Sequence, residues 1–260
     1  MKDFKYREQG SAGRGALLFL KIYYRKFWRL AAVNVLYFIA VFPLAGVGYG
    51  VMAVKFRDGL TGADVLVSLL SYLPGPVLLF AVIISALVYG PLKMGVTYVY
   101  KCFFTGEHVY VTDVCVYALS NAKQGLAFGC LDLTVTAVLM YNIFNDLSLS
   151  GWMGTALDMA RYISMTMLGM YVMIRHYFYL MAVSGEFRIG EVIKNSILLS
   201  VLKLGRSLGL CMACGVVWGV TLLSVPAVTV IFVPFAVYSV CGMMTAMLCW
   251  PSIDDYVVNR

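Results

Sequence analysis

The stretch SLGLCMACGVVWGVTLLSVPAVTVIFVPFAVYSVCGMMTAMLCWPSI, from Ser207 to Ile253, contains no aspartate, glutamate, lysine or arginine. An apolar helix crosses a bilayer in roughly 20 residues, so this run is too long for a single membrane span. The chain has to turn around inside it. The last part of the sequence is therefore predicted to form two membrane helices.

The composition of the whole chain agrees with a membrane protein. Hydrophobic residues make up 62% of the 260 residues and charged residues only 13%, and the mean hydropathy is +0.85. These values lie outside the usual range of soluble globular domains. The net charge of +7 is then explained by membrane topology, and we expect no nucleic acid as a partner.

Apolar runs along the chain predict an all-α, polytopic bundle of six transmembrane helices with amphipathic cytoplasmic elbow helices. The predicted spans are residues 30–54, 77–98, 125–145, 159–183, 208–223 and 228–248. Residues 1–29 form a basic amphipathic segment, and residues 30–260 form the membrane domain. The weakest boundary is the turn at Ser224, Val225 and Pro226, where proline stops a helix, and five spans remain the alternative.

The distribution of lysine and arginine predicts the orientation, because positive charge stays on the cytoplasmic side. With the N-terminus inside, all of the 20 lysines and arginines except Lys55, Arg57 and Arg161 lie in cytoplasmic segments or the adjoining span ends. The opposite orientation would require most of these charges to cross. We therefore expect a multi-pass cell-membrane protein with both termini in the cytoplasm.

A basic aromatic helix precedes the first span. Its sequence ALLFLKIYYRKFWRL places Lys21, Arg25 and Arg29 four residues apart, with Lys26 beside them, among large aromatic and aliphatic side chains. Such a helix lies in the plane of the membrane surface, with its cations at anionic head groups. The lipid bilayer is the expected partner of this basic face, and docking of another protein is the alternative.

Two cytoplasmic connections are similar. GEHVYVTDVCVYALSNAKQGLAFG follows the second span, and GEFRIGEVIKNSILLSVLKLGRSLGLCMACG follows the fourth. Each begins with Gly-Glu, contains an acid soon after, predicts an amphipathic helix and returns to the membrane after a basic residue. The second connection is longer by about one helical turn. The two halves are either parallel repeats, as in some transporters, or unrelated units of the same shape.

Pairs of small residues four positions apart predict close helix packing within the chain. The pairs are Gly46 and Gly50, Gly125 and Gly129, Gly215 and Gly219, and Gly242 with Ala246.

Polar residues inside the spans are the candidate functional residues, because a charge in hydrocarbon needs a partner or water. Under the predicted topology they share the cytoplasmic half of the membrane: Asn34, Lys93, Asp132, Arg175 and His176. Asp132 lies too deep for its short side chain to reach the head groups. Arg175 either extends to the interface or pairs with Asp132, as Lys93 also could, and His176 points about 100° away from Arg175 on a helix. The cluster is either a ligand site or a structural clasp.

No other pattern in the sequence predicts chemistry. Nucleotide-binding loops, metal-binding helices and nucleophile elbows are absent, and the segments outside the membrane are too short for a catalytic domain. The CMAC motif at Cys211 and Cys214 has the spacing of a metal or redox pair, but the sequence has no second ligand cluster for it. We therefore predict no enzyme activity, catalytic residue, cofactor or metal site.

Several segments resemble the YesL-like family of bacterial integral membrane proteins, a family defined as a domain of unknown function. The similar segments extend over nearly the whole length: FPLAGVGYG, YGPLKMGVTYVYKCFFTGE, NAKQGL, YFYLMAV and IGEVIKNSILLSVLKLGRSL. The resemblance implies the bacterial inner membrane and gene neighbours that act in carbohydrate uptake. It supplies no catalytic residue, since the family has no established activity.

Three classes of function remain open. We expect an association with carbohydrate uptake, as an accessory of a sugar-uptake transporter complex or as a small permease with a solute site at the polar cluster. A membrane scaffold or regulatory partner without transport activity is the alternative. An intramembrane enzyme would require Asp132 or His176 as a general base.

Overall fold

A computed structural model describes residues 12–55, 74–144, 152–185, 187–223, 229 and 231–258. The regular structure in these ranges is helical, without a strand. The helices are α1 (Ala12–Arg25), α2 (Phe27–Lys55), α3 (Gly75–Thr105), α4 (Asp113–Ser120), α5 (Ala122–Phe144), α6 (Trp152–Ala182), α7 (Ile189–Leu202), α8 (Leu204–Leu223) and α9 (Tyr238–Ile253), and π-helical turns at Val233–Val237 and Asp254–Val258 flank α9. The predicted all-α bundle is confirmed.

Five helical segments are long and apolar enough to cross a bilayer: Phe27–Leu44, Gly75–Thr105, Ala122–Phe144, Leu204–Thr221 and Val233–Tyr256. Much of their apolar surface faces outward, including Leu79 and Phe80 of α3, which are 63% and 66% exposed. Exposed apolar surface over several long helices needs lipid to cover it. The chain is therefore a membrane protein, and five of the six predicted spans coincide with helices that are long and apolar enough to cross a bilayer.

The remaining predicted span corresponds to α6. Its 31 residues are long enough to cross a bilayer, since a helix rises about 1.5 Å per residue. It is not among the five apolar segments, and Asp158, Arg161 and Arg175 lower its hydropathy. The alternative of five spans therefore stays open, and it now concerns α6, because α8 and Val233–Tyr256 are separate apolar segments. The predicted turn at residues 224–226 lies outside the described residues.

Helix α3 lies at the centre of the bundle and contacts α2, α4, α5, α6 and α9. It approaches α5 most closely where glycines face each other. A Cβ atom added to Gly90 would overlap the carbonyl oxygen of Gly125 and would lie 2.7 Å from the Cα of Gly129. The predicted packing role of Gly125 and Gly129 is confirmed, because only hydrogen atoms fit between these backbones.

The short helices α4 and α7 form the two predicted elbows. Both begin in the same way: the backbone N–H of Tyr110 donates to Asp113 at 2.9 Å, and that of Arg188 donates to Glu191 at 3.1 Å. Each carboxylate satisfies a backbone N–H that lies just before the helix. A single residue, Asn121 or Lys203, then separates each elbow from the following long helix. The elbows have 8 and 14 residues, so the second is the longer one, as predicted.

Candidate functional site

A cavity of about 610 Å³ lies inside the bundle, and every long helix contributes to its wall. Representative lining residues are Tyr37 of α2, Tyr89 of α3, Leu133 of α5, Val172 of α6, Cys211 of α8 and Tyr238 of α9. A volume of this size is typical of sites for small molecules. Lys93 lies in this wall twelve residues before the end of α3 at Thr105, which is about 18 Å along the helix. The cavity is therefore deep in the membrane domain.

Asp132 of α5 is the centre of a polar network beside this cavity. Its side chain is 1% exposed and accepts hydrogen bonds from the hydroxyl groups of three tyrosines. Tyr171 donates to Oδ1 at 2.6 Å, and Tyr89 and Tyr179 donate to Oδ2 at 2.7 and 2.8 Å. A buried carboxylate needs such donors because it has lost its water. The sequence reasoning missed all three tyrosines.

Arg175 and Lys93 supply the positive charge around Asp132. The Nε atom of Arg175 lies 3.1 Å from Oδ2 of Asp132, whereas the Nζ atom of Lys93 lies 3.8 Å from it. Both cations also donate to the hydroxyl oxygen of Tyr89. Arg175 thus pairs with Asp132 instead of extending to the interface. Two cations share one carboxylate, which leaves the network with a net charge of +1 when His176 is neutral.

His176 follows Arg175 in the sequence and contacts a different helix. Its Nδ1 atom lies 3.0 Å from the hydroxyl oxygen of Thr245 on α9, and Thr245 donates its own hydrogen to the carbonyl oxygen of Cys241 at 2.8 Å. The Nε2 atom of His176 is buried and has no hydrogen-bond partner in the described part of the chain. Arg175 and His176 therefore diverge, as expected for neighbouring residues on a helix, although both line the cavity.

Asn34 does not belong to this network, contrary to the predicted cluster. Its side-chain amide donates to the carbonyl oxygens of Val233 and Pro234 at 3.0 and 2.6 Å. These carbonyls belong to the π-helical turn before α9, where the regular helical hydrogen-bond pattern is altered. Asn34 is thus a bridge between α2 and this turn. The hydropathy pattern predicted that Asn34 is buried, but it could not predict which part of the chain the side chain contacts.

The basic residues before the first span also separate into two groups. Lys21, Arg25 and Arg29 are exposed, next to exposed Tyr24. Lys26 instead lies 4.6 Å above the ring of Phe103 and donates to the carbonyl oxygen of that residue at 3.3 Å. Burial, helped by the nearby arginines, lowers the pKa of Lys26 below its usual value. The exposed basic face therefore contains Lys21, Arg25 and Arg29, and Lys26, which was predicted to belong to it, packs against the bundle instead.

Part of the cavity wall is aromatic. The rings of Trp218 and Tyr238 meet edge to face at 5.1 Å, and Tyr238 contacts Tyr37 in the same way at 5.2 Å. Cys211 and Cys214 of the CMAC motif line the cavity. Within the described part of the chain, no three histidine, cysteine or acidic residues are arranged to hold a metal ion. The observed wall is suited to an organic molecule.

The cavity is lined by corresponding positions in the two similar halves. When Gly106 after α3 is aligned with Gly185 after α6, four lining residues of α3 correspond to four of α6. The pairs are Lys93 with Val172, Val96 with Arg175, Thr97 with His176, and Tyr100 with Tyr179. This spacing is that of one face of a helix, so the correspondence is compatible with parallel repeats and with two unrelated helices that face the same cavity.

Comparisons with known proteins add no relative. No protein-family model, curated protein or solved structure matches the chain. The resemblance to the YesL-like family therefore remains an expectation from the sequence. What the site does has to be inferred from its own geometry.

Proposed function

We propose that this membrane protein binds a small organic anion in its central cavity, as a small permease or as an accessory subunit of an uptake system. The observation that carries the proposal is the excess of positive charge at the cavity wall. Lys93 and Arg175 line the cavity, and no aspartate or glutamate is among its described lining residues. Asp132, the carboxylate that the described residues place near them, already accepts hydrogen bonds from three hydroxyl groups and forms an ion pair with the Arg175 guanidinium.

The two cations have different roles in this proposal. Arg175 is the structural partner of Asp132, because its Nε atom is the closer one and it also binds the Tyr89 hydroxyl. Lys93 is the ligand-binding cation. Among the described residues its ammonium has one hydrogen-bond acceptor, Tyr89 at 3.2 Å, although an ammonium has three hydrogens to donate. Its Nζ also lies 4.6 Å from the ring centre of Tyr179, and its side chain stays 22% exposed.

Electrostatics favour an anion as the occupant of the cavity. An uncompensated charge away from bulk water is unfavourable, and the attraction between opposite charges is stronger there than in solution. An anion beside Lys93 would neutralise the excess charge. The aromatic wall around Trp218 and Tyr238 would receive its apolar body.

The association with carbohydrate uptake is the biological setting of the proposal. It rests on the sequence resemblance, and the size of the cavity is compatible with a sugar-sized solute. A scaffold or regulatory partner would not require an occupied cavity, so ligand binding distinguishes that alternative. A protein with an intact fold that binds no anion would favour the scaffold or regulatory role over transport.

The test is ligand binding by the purified protein in lipid nanodiscs, followed by uptake into proteoliposomes. A panel of small organic carboxylates and phosphates is screened by thermal shift, and affinities are measured by calorimetry. We expect Lys93→Gln to weaken binding by about tenfold or more, because a hydrogen bond to a charged group is lost. The matched control is Lys101→Gln, since Lys101 is also on α3 but stacks on Trp250 at 4.2 Å, outside the cavity.

Two outcomes would overturn the proposal. One is the absence of binding by any member of the panel to a protein whose thermal unfolding is normal. The other is an affinity of the Lys93→Gln variant equal to that of the unchanged protein. Binding without uptake would favour the accessory role over the permease.

A further inference from the structure

We propose that the bound anion carries hydroxyl groups, and that Tyr100 and His176 recognise them. This inference rests on the proposed function and specifies the class of ligand. It comes from two polar atoms of cavity-lining residues, the Tyr100 hydroxyl oxygen and the Nε2 atom of His176. Both atoms are buried, and neither has a hydrogen-bond partner among the residues that the structure describes.

Tyr100 is held in place by a glycine on the facing helix. The residue is 4% exposed, and a Cβ atom added to Gly242 would overlap the Tyr100 ring. The ring therefore occupies the space that a side chain at position 242 would fill. Buried tyrosine hydroxyl groups normally find a partner, because leaving one unsatisfied is unfavourable. A ligand hydroxyl in the cavity would provide that partner.

His176 restricts the ligand more strongly, because its hydrogen-bond role can be deduced. Thr245 donates its hydrogen to Cys241, so its oxygen can only accept from the imidazole. Nδ1 then carries the proton. With Lys93 and Arg175 in the same cavity wall, a third positive charge is disfavoured, and the neutral imidazole has Nε2 as a bare acceptor.

The bare acceptor determines which chemistry fits. A carboxylate or a fully ionised phosphate has only acceptors and cannot satisfy Nε2, whereas a hydroxyl group donates to it. The ligand thus presents its anionic group to Lys93 and at least one hydroxyl group to His176. Its remaining surface lies against the rings of Trp218 and Tyr238. A hydroxylated ring that carries a carboxylate or a phosphate combines these three features.

The test compares ligands that differ in their hydroxyl groups. Quinate is compared with cyclohexanecarboxylate, and glucose 6-phosphate is compared with cyclohexyl phosphate, by calorimetry on the full chain in nanodiscs. We expect the hydroxylated member of at least one pair to bind about tenfold more tightly, because a site that satisfies buried polar atoms rejects an analogue without them. The pair that shows the difference identifies carboxylate or phosphate as the anionic group.

Variants assign the preference to the two residues. Tyr100→Phe and His176→Phe are each expected to reduce the preference severalfold, because they weaken the binding of the hydroxylated ligand more than the binding of cyclohexanecarboxylate or cyclohexyl phosphate. Thr97→Val is the matched control. Thr97 also lines the cavity, but its hydroxyl group already donates to the backbone oxygen of Lys93 at 2.7 Å. We therefore expect that variant to keep the preference.

The possible failures are distinguishable. Equal affinities within both pairs, with binding that still depends on Lys93, would overturn the hydroxyl inference and leave the proposed function in place. If the Tyr100 and His176 variants lose affinity equally for both ligands of a pair, the hydroxyl inference is also overturned, since that result indicates a damaged cavity. Absence of binding by all four ligands and by the wider panel would overturn the proposed function and this inference together.

Discussion

Asp132 connects three helices through single atoms, since its donors come from α3 and α6 while it belongs to α5. Its carboxylate is the only negative charge of the described network around Lys93 and Arg175. Removing that charge would leave two partly buried cations close to each other without a counter-charge. Asp132 therefore has a structural role beside Lys93, the proposed ligand-binding residue. The two roles can be distinguished only when Asp132 and Lys93 are changed in separate variants.

We predict that Asp132→Asn destabilises the protein by about 3–5 kcal/mol, the usual effect of breaking a buried ion pair. Thermal unfolding in detergent would measure the change. Asp158→Asn is the control, because Asp158 is exposed and its pair with Arg161 at 3.7 Å lies on the surface. An Asp132→Asn protein as stable as the control variant would contradict the structural role.

Tyr171 provides a finer test of the same network. Tyr171→Phe removes one hydroxyl donor from the Asp132 carboxylate, and we predict a loss of about 1.5–3 kcal/mol in the free energy of unfolding. Tyr162→Phe is the matched variant on α6, since the Tyr162 side chain is 71% exposed. Equal unfolding temperatures for the two variants would show that the Tyr171 hydrogen bond does not stabilise the fold.

The sequence predicted the charged members of the site better than the neutral ones. Asp132 was recognisable because its depth in a predicted span requires a partner. Tyr89 is one helical turn from Lys93, and Tyr171 and Tyr179 are one turn on either side of Arg175, so spacing did contain a signal. Tyrosine is common throughout these spans, and spacing alone does not tell which tyrosines face inward.

Among the helices, the contact between α3 and α5 depends on glycine most strictly. We predict that Gly90→Ala destabilises the bundle by about 1–3 kcal/mol, since the new methyl group would meet the backbone of Gly125 and Gly129, which cannot rotate away. Thermal unfolding in detergent is again the measurement.

Gly169→Ala is the control for this prediction. Gly169 is on α6 and has nothing within 4 Å of the position that a methyl group would occupy, so its change to alanine should be neutral or slightly stabilising. If both glycine variants unfold at the same temperature, close packing of α3 against α5 is not needed for stability.

Small-residue spacing predicted only part of the helix packing. The pair Gly125 and Gly129 does face another backbone, and Gly242 faces the ring of Tyr100. At Gly215 and Gly219, no neighbouring atom of the described residues lies within 4 Å of an added Cβ atom. The structure describes no neighbouring atoms for Gly46 and Gly50, so the prediction for this pair is not tested. Four-residue spacing identifies one face of a helix, and only the partner decides whether that face is a contact, a cavity wall or a lipid surface.

For the whole molecule, the elbows give a direct test of whether α6 crosses the membrane. We predict that it does, because pairing with Asp132 compensates the charge of Arg175 inside the bundle. Helices α4 and α7 then lie on the same, cytoplasmic side. The exposed native Cys115 marks α4, and Lys194→Cys would mark α7 in a chain without other cysteines.

A membrane-impermeant thiol reagent should label both positions only after the membrane is opened. Trp152→Cys at the start of α6 is the external control and should be labelled in intact cells. Labelling of Cys115 and position 194 from opposite sides would show that α6 does not cross. The fold class could be predicted from hydropathy alone, but this count could not, because hydropathy scores Arg175 as an isolated charge.

The pairing of Asp132 with Arg175 joins α5 and α6, which are consecutive along the chain. During synthesis α5 leaves the ribosome first, with its carboxylate present and its guanidinium partner still unmade. An aspartate at the centre of a helix opposes entry into lipid by about 2.5–3.5 kcal/mol at the translocon. We expect α5 to wait beside the translocon and to enter the bilayer together with α6, as a hairpin. A nascent chain that ends at residue 151 would then integrate α5 poorly, although every residue of that helix is present.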